Sequence, residues 1–260
     1  MEWTRETRCR VIMELFNEYH RINIEQLSTE FKIPVEVIEE DINVLLQEGK
    51  IDKVSEFIIT KKTGASIELS YDVRNAMNTV VKSRIAMKAA ELIEHGEIVI
   101  IDEGSTAAQM GNYFDYSKSF TVVTNSFSLI EAMQKNMPAG EYPLEVLFLG
   151  GKVSFGHKRV TGFFSESNLE FINADKVFIT VDGFSAQGMT SHDLEKSVLS
   201  KECIRCSRET VVLADQSKIG RDFHFNIDKL EAASCIISDC EIPVELQDTV
   251  KNCGIEWICV

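Results

Sequence analysis

Apolar positions in the first seventy residues recur at helical spacing. Val11, Ile12, Leu15 and Phe16 form the i, i+1, i+4, i+5 stripe of an amphipathic helix over residues 5–19. Ile24, Leu27 and Phe31 fall on one side of a second, short helix over residues 24–31. Lys32-Ile33-Pro34 then reads as a turn, because the residue before a proline avoids the helical region. A third helix, from about Val35 to Glu48, buries Val35, Ile38, Ile42, Leu45 and Leu46 and stops at Gly49. Beyond it Phe57-Ile58-Ile59 is β-like, and Lys61-Lys62-Thr63-Gly64 reads as a tight turn. Three short helices and a hairpin predict a winged helix-turn-helix over residues 1–70; the plainer reading of the same pattern is a small three-helix packing module.

Residues 71–260 predict a second domain, opening with a long linker helix over about residues 73–95. Its stripe is Val80, Val81, Ile85, Ala89, Leu92 and Ile93. After Gly96 come short β-branched runs at 98–101, 120–123, 144–149, 177–181, 211–213 and 235–237, and 255–260 offers an edge strand. Helical stretches lie between most of them, 107–114 and 127–135 for example. Apolar strands alternating with helices predict a doubly wound, mostly parallel α/β sheet covered on both faces.

Charge changes the picture more than composition does. The 260 residues hold 27 basic and 41 acidic side chains, a net of −14. Such a chain repels nucleic acid in bulk, so any DNA contact needs a local basic surface. Seven cysteines form no regular framework, which points to a reducing cytoplasm. No apolar run approaches the roughly 20 residues of a membrane span, and Met1-Glu2-Trp3 does not begin like a signal peptide.

In open α/β sheets a ligand lies outside the carboxyl ends of the strands. The segments expected there are Asp102-Glu103-Gly104-Ser105-Thr106, Thr124-Asn125-Ser126, Gly150-Gly151-Lys152, Asp182-Gly183-Phe184 and Asp215-Gln216-Ser217-Lys218. Glycines allow close backbone approach, and hydroxyls, amides and lysines suit a small, hydroxylated, phosphorylated ligand.

These segments also carry a resemblance. Asp102-x-Gly104-Ser105-Thr106, the run Thr121–Ser126, Leu149-Gly150-Gly151, Ala174-Asp175-Lys176-Val177-Phe178, Asp182-Gly183, Gly188-Met189-Thr190 and the run Leu213–Gly220 occur in an order and spacing similar to the DeoR-family transcriptional regulators. Lys82 and Ile85-Ala86 match as well, so the likeness spans essentially the whole chain. It implies a winged helix-turn-helix joined to a sugar-phosphate-sensing domain related to ribose-5-phosphate isomerase. It further implies a homodimer or homotetramer that represses sugar-metabolism genes and answers to a phosphorylated sugar, with no cofactor. Carried over residue by residue, Gly104, Ser105 and Thr106 hold phosphate, while Thr124, Asn125 and Ser126 complete the pocket. Asp102, Gly151, Lys152, Asp182, Gly183 and Lys218 are further ligand candidates, and Glu195 shapes the pocket.

The related isomerases move a proton between sugar carbons with carboxylates and carry a further aspartate just beyond the Asp-Gly pair. Here Phe184-Ser185 follows Asp182-Gly183, so the pair is incomplete and a non-enzyme is expected, although Glu195 is in principle able to serve as a base. Cys203-x-x-Cys206 has a zinc-compatible spacing that Cys235 and Cys240 do not repeat, so no metal is expected.

The third helix departs from the family. Relatives carry two arginines before an aspartate; here the run is Glu36-Val37-Ile38-Glu39-Glu40-Asp41. The face expected in the major groove is therefore Glu36, Glu39, Glu40, Asn43 and Gln47. Residues 1–70 hold nine basic and fourteen acidic residues, net −5. Basic candidates for phosphate contact are Arg5, Arg8, Lys32, Lys53, Lys61 and Lys62. Two functions compete: a DNA-binding regulator with an altered reading surface, or a sugar-phosphate-binding protein whose helical module serves oligomerisation or a protein partner.

Overall fold

The computed structural model describes residues 4–18, 21–55, 58–61, 68, 70–138 and 144–260. They form two compact units, Met1–Asn78 and Thr79–Val260.

The first unit contains α1 (Arg5–Glu18), β1 (Arg21–Asn23), α2 (Ile24–Phe31), α3 (Val35–Gln47), β2 (Ile51–Ser55), β3 (Ile58–Lys61) and α4 (Tyr71–Ala76). The stripes expected from the sequence meet in one core, Val11, Ile12, Leu15 and Phe16 against Leu27, Ile38, Ile42 and Leu45. Asn23 starts α2 by accepting the Glu25 and Gln26 amides at 2.8 and 3.2 Å. Lys32, in the left-handed region at φ 53°, ends that helix. The wing is a three-stranded antiparallel sheet in the order β1-β3-β2, one strand more than expected. Lys53 and Lys61 lie on β2 and β3; Lys62 and the rest of the expected tight turn, and Phe57, lie outside the described residues.

The expected linker helix is not continuous. It breaks at Met77-Asn78 into α4 and α5 (Thr79–Glu91), with Asn78 at φ 51°. Met77 turns back with Val73 into the first unit's core, and asparagine tolerates the left-handed turn that follows. Residues 71–78 therefore pack with the first unit.

In the second unit, seven strands form one wholly parallel sheet: β4 (Ile98–Ile101), β5 (Thr121–Thr124), β6 (Glu145–Phe148), β9 (Ala174–Thr180), β12 (Ser207–Leu213), β14 (Cys235–Ser238) and β15 (Glu256–Cys259). Their order is β15-β14-β12-β9-β4-β5-β6. Alternation splits the core. Ile100, Val123, Val177 and Val212 face α7 (Phe163–Leu169), α8 (Leu194–Arg205) and α9 (Val244–Cys253). Val99, Ile101, Val122 and Phe178 face α5 and α6 (Phe127–Asn136). The expected helix at 107–114 is a run of 3-10 turns, Ala107–Asn112. Two small sheets ride on the carboxyl side: the hairpin β7 (Lys152–Ser154) and β8 (Arg159–Thr161), and the trio β10 (Gly183–Ser185), β11 (Gly188–Ser191) and β13 (Phe225–Asp228). Successive strands run outward from β4 to β6 and then resume on its other side at β9. The carboxyl ends of β4 and β9 thus flank the switch point, the place where open α/β sheets bind ligands.

Candidate functional site

A buried ionic network fills that switch point. Glu103, following β4, accepts from Arg159 Nη1 of β8 at 2.7 Å, and its Oε1 lies 3.4 Å from Lys196 Nζ of α8. Lys196 also donates to Asp182 Oδ1 at 3.2 Å, and Arg159 Nη2 lies 3.4 Å from Asp193 Oδ2. The second Asp182 oxygen accepts from Ser191 Oγ at 2.6 Å and the His192 amide at 3.0 Å. The His192 ring lies 3.8 Å from that of Phe223, centroid to centroid. Asp102 lies deeper, 1% exposed, accepting from Ser200 Oγ at 2.5 Å and from the Glu103 amide at 2.7 Å. Burial, then the charge of Glu103, pushes the Asp102 carboxyl up to about 6, against the pull of Ser200 and Lys196.

The hairpin brings in a second cluster. Lys152 donates to Glu195 Oε1 at 2.7 Å and Thr161 to Glu195 Oε2 at 2.8 Å, which holds the Glu195 carboxyl below its usual range. Asn125 gives its amide Nδ2 to the Val160 carbonyl at 3.3 Å, and Ser126 pairs with Arg159 across a β-bridge. Asp102, Gly104, Ser105, Thr106, Thr124, Asn125, Ser126, Gly151, Lys152, Asp182, Gly183 and Glu195 thus sit on one connected set of loops. Lys218 is one loop further along, after β12, beside Asp215. Burial drives the Asp215 carboxyl upward, but Lys218, the Ser217 hydroxyl and Lys82 bring it below its ordinary value.

The structure divides these residues by what the fold already uses. Asp102 and Asp182 spend both oxygens on protein donors. Thr124 Oγ1 donates to the Ile101 carbonyl at 2.6 Å and accepts the Ser126 amide, and Ser126 Oγ caps α6 by accepting the Leu129 amide. Among the described residues, the hydroxyls of Ser105 and Thr106 have no hydrogen bond within the chain, and the buried Asn125 Oδ1 has none either. The glycines have a different reason than ligand approach. A Cβ on Gly104 (φ 147°) would lie 2.3 Å from Thr180 Oγ1, one on Gly151 (φ 151°) 2.4 Å from Ser165 Oγ, and one on Gly183 2.4 Å from the Arg221 carbonyl. Each place is filled by the protein itself.

Sequence reasoning missed Glu103, Arg159, Lys196 and His192. Lys196 had a signal: Leu199 and Cys203 follow at i+3 and i+7, so its side chain belongs to the buried stripe of α8.

On α3, Glu36, Glu40 and Asn43 are exposed and Glu39 half-exposed, with Lys32 exposed just before the helix. Two of the expected phosphate-contacting arginines are bound to this helix. Arg8 grips Asp41 bidentately, Nε to Oδ2 at 2.5 Å and Nη2 to Oδ1 at 3.0 Å, and Asp41 is fully buried. Arg5 donates to Glu40 at 3.0 Å, both side chains remaining in solvent.

The chain is 28% identical over 223 residues to an uncharacterized HTH-type transcriptional regulator of Staphylococcus epidermidis, covering 83% of this chain and 84% of that one. It is 26% identical to the HTH-type transcriptional repressor GlcR of Bacillus subtilis, over 98% and 96% of the two chains. Among solved structures, ribose 5-phosphate isomerase A of Methanocaldococcus jannaschii aligns over 55% of each chain at 17% identity with a TM-score of 0.38. Residues 77–240 match the DeoR C-terminal sensor domain, so the chain belongs to the DeoR family.

Proposed function

We propose that the protein is a DNA-binding transcriptional regulator, a repressor of sugar-metabolism genes in the cytoplasm, controlled by a phosphorylated sugar at the β4/β9 switch point. The observation that carries the effector reading is the set of polar groups the fold leaves unspent there. Ser105 and Thr106 follow β4 and Asn125 follows β5, on the carboxyl side of the sheet, where the neighbouring carboxylates are already tied to Arg159, Lys196 and Lys152. Hydroxyl and amide groups held by a rigid ionic frame suit a polyhydroxylated anion, with Lys152 and Lys218 as the cations at the rim.

The same frame argues for sensing over turnover. Proton transfer needs a carboxylate free to take and return a proton. Asp182 is fixed by three donors, and Ser185, beyond it, donates to Asp222 at 2.8 Å.

The DNA reading rests on the winged helix-turn-helix and on the curated repressor that matches along its whole length. The acidic face of α3 favours a second reading, in which this unit holds a protein partner instead. The test joins both halves of the molecule. Fluorescence anisotropy on the DNA upstream of the protein's own gene is run with and without a panel of sugar phosphates and the matching free sugars. Saturable, salt-sensitive binding shifted by one phosphorylated sugar is expected, with the shift lost in Ser105→Ala/Thr106→Ala. Absence of DNA binding at low salt would sink the regulator reading. An equal response to the free sugar would sink the phosphate assignment.

A further inference from the structure

All seven cysteines are free thiols. Cys203 and Cys235 are buried, Cys206 Sγ rests on the Cys203 carbonyl at 3.4 Å, and Cys9 belongs to the first unit. The other three lie around the last strand of the seven-stranded sheet. Cys253 and Cys259 are exposed and Cys240 is half-buried.

Two of these share one face. β15 ends the sheet and pairs with β14 in a register that sets Cys259 opposite Ser238. The Val260 amide, donating to the Ser238 carbonyl at 2.9 Å, continues that register. Opposed residues of a parallel pair point to the same side, so the Ser238 and Cys259 side chains are neighbours at about the 4.8 Å strand spacing. Cys240 turns back onto this side. Its Sγ lies 3.6 Å from Ser238 Oγ, and its carbonyl accepts the Trp257 indole N–H at 2.9 Å. Trp257 is two residues from Cys259 and therefore on the same side of β15. The two sulfurs thus flank Ser238, within roughly 9 Å of each other. Cys253, at the end of α9, precedes β15 and lies at the opposite end of that strand from Cys259.

We propose that Cys240 and Cys259 are a redox-sensing pair, which a hydroperoxide joins into a reversible disulfide, and that closing it loosens the loop of Ser217 and Lys218. Burial foremost, with Asp239, Cys259 and Glu241 adding to it, raises the Cys240 thiol against its contact with Ser238. Exposed Cys259 therefore meets the oxidant first. Its thiolate attacks the peroxide; an S–O bond forms, the O–O bond breaks, and the leaving oxygen takes a proton as water or alcohol. The Cys240 thiolate then attacks the sulfenic sulfur; the S–S bond forms and the S–O bond breaks, releasing a second water. Two thiols lose two electrons and two protons to one peroxide. Disulfides of this reversible kind are those that suit a reducing compartment.

Bridged cysteines have Cα atoms about 4.4–6.8 Å apart, so the turn at Asp239-Cys240 must move a few ångströms towards β15. That turn is irregular backbone, and β15 pairs on one side only among the described residues. The movement has a consequence one residue away. Asp239 Oδ1 accepts the Gln216 amide at 2.7 Å and so holds the loop of Ser217 and Lys218. That this loop bears on an effector rests on the function proposed above; the disulfide does not.

The test treats the full chain with hydrogen peroxide and maps its peptides without reduction. Fluorescence is read in a Trp3→Phe background, where Trp257 alone emits. A Cys240–Cys259 link within one chain is expected, with two of the seven thiols lost. Trp257 emission should shift as its bond to the Cys240 carbonyl is disturbed, and amide exchange in the peptide holding Gln216 should rise severalfold. Dithiothreitol should reverse all three. Cys240→Ser and Cys259→Ser should each abolish them, and Cys253→Ser should change none; melting temperatures verify folding. The link itself is mapped on the wild-type chain, so it stands apart from any variant's stability. Oxidation that stops at Cys259 without a link overturns the proposal, as does a link between two chains or through Cys253. A correct link that leaves exchange at Gln216 unchanged overturns the coupling to the loop.

Discussion

Asp102 supplies the sharpest quantitative prediction. Its carboxyl moves from 3.8 in the free side chain to about 6 in the fold, raised by burial and by Glu103 against Ser200 and Lys196. Between those values the folded protein keeps a proton that the unfolded chain has lost. Stability therefore falls as pH rises through this window, and it is fully present only below about pH 4. Two units at 1.36 kcal/mol each give roughly 3 kcal/mol. Asp102→Asn keeps an acceptor for the Glu103 amide and carries no charge, so it lacks this dependence. Urea unfolding of both proteins from pH 4.5 to 7.5 yields a difference curve in which titrations shared by the two cancel. The variant should gain on the wild type across that range, most steeply near pH 5 to 6, and level off above pH 7. A flat difference, or one falling with pH, would refute the account of Asp102 as a carboxylate whose burial outweighs its hydrogen bonds.

Other perturbations follow from the same geometry. Arg159→Met leaves Glu103 buried with Lys196 as its remaining cation; a loss of about 3–5 kcal/mol is expected, seen as a melting temperature lower by roughly 10 °C, and Glu103→Gln in the same chain should restore most of it. Gly104→Ala should cost about 2 kcal/mol or more from its positive φ and the contact with Thr180, and adding Thr180→Ala should recover part of that in a double-mutant cycle, because two of the three contacting atoms are then gone. Arg5→Ala removes the exposed partner of Glu40 and a cation 3.5 Å from the buried Asp41, which keeps Arg8; stability should fall by about 1 kcal/mol, and operator binding measured by anisotropy should weaken.

The parts of the fold visible in the sequence are those where burial imposes a period. α2 coincides with its expected span because Ile24, Leu27 and Phe31 repeat at helical spacing. The sheet strands were legible as β-branched runs because both of their faces are buried. Three-residue strands such as β1, β7 and β8 are too short to display alternation, and they were missed. The break after α4 was hidden because no glycine or proline marks Met77-Asn78; tertiary burial of Met77 decides it. At the site, hydroxyl and glycine loops were legible as chemistry, but which atoms the scaffold would consume was not. Arg159, Lys196 and Asp41 were overlooked for one shared reason: charged side chains are assumed solvated, although Asp41 lies three residues from both Ile38 and Val44 and four from Leu45 on the buried stripe of α3.

That stripe also changes the electrostatics of the reading helix. The sequence puts four carboxylates, Glu36, Glu39, Glu40 and Asp41, into six residues of this helix, each costing roughly 1 kcal/mol in water and about 4 near a protein surface when 4 Å from a phosphate. In the fold Asp41 faces inward and is neutralised by Arg8, and Glu40 is met by Arg5. Two exposed charges remain without a cation from α1, Glu36 and the half-exposed Glu39. Carboxylates accept from the amino group of cytosine and reject the phosphate backbone, so a helix carrying two of them on its outward face gains only where a base edge is read and loses elsewhere. Non-specific affinity then falls further than specific affinity does. On the proposed regulator reading, phosphate contact would pass to the flanks, to Arg5 beside α3, Lys32 ahead of it and Lys53 and Lys61 on β2 and β3.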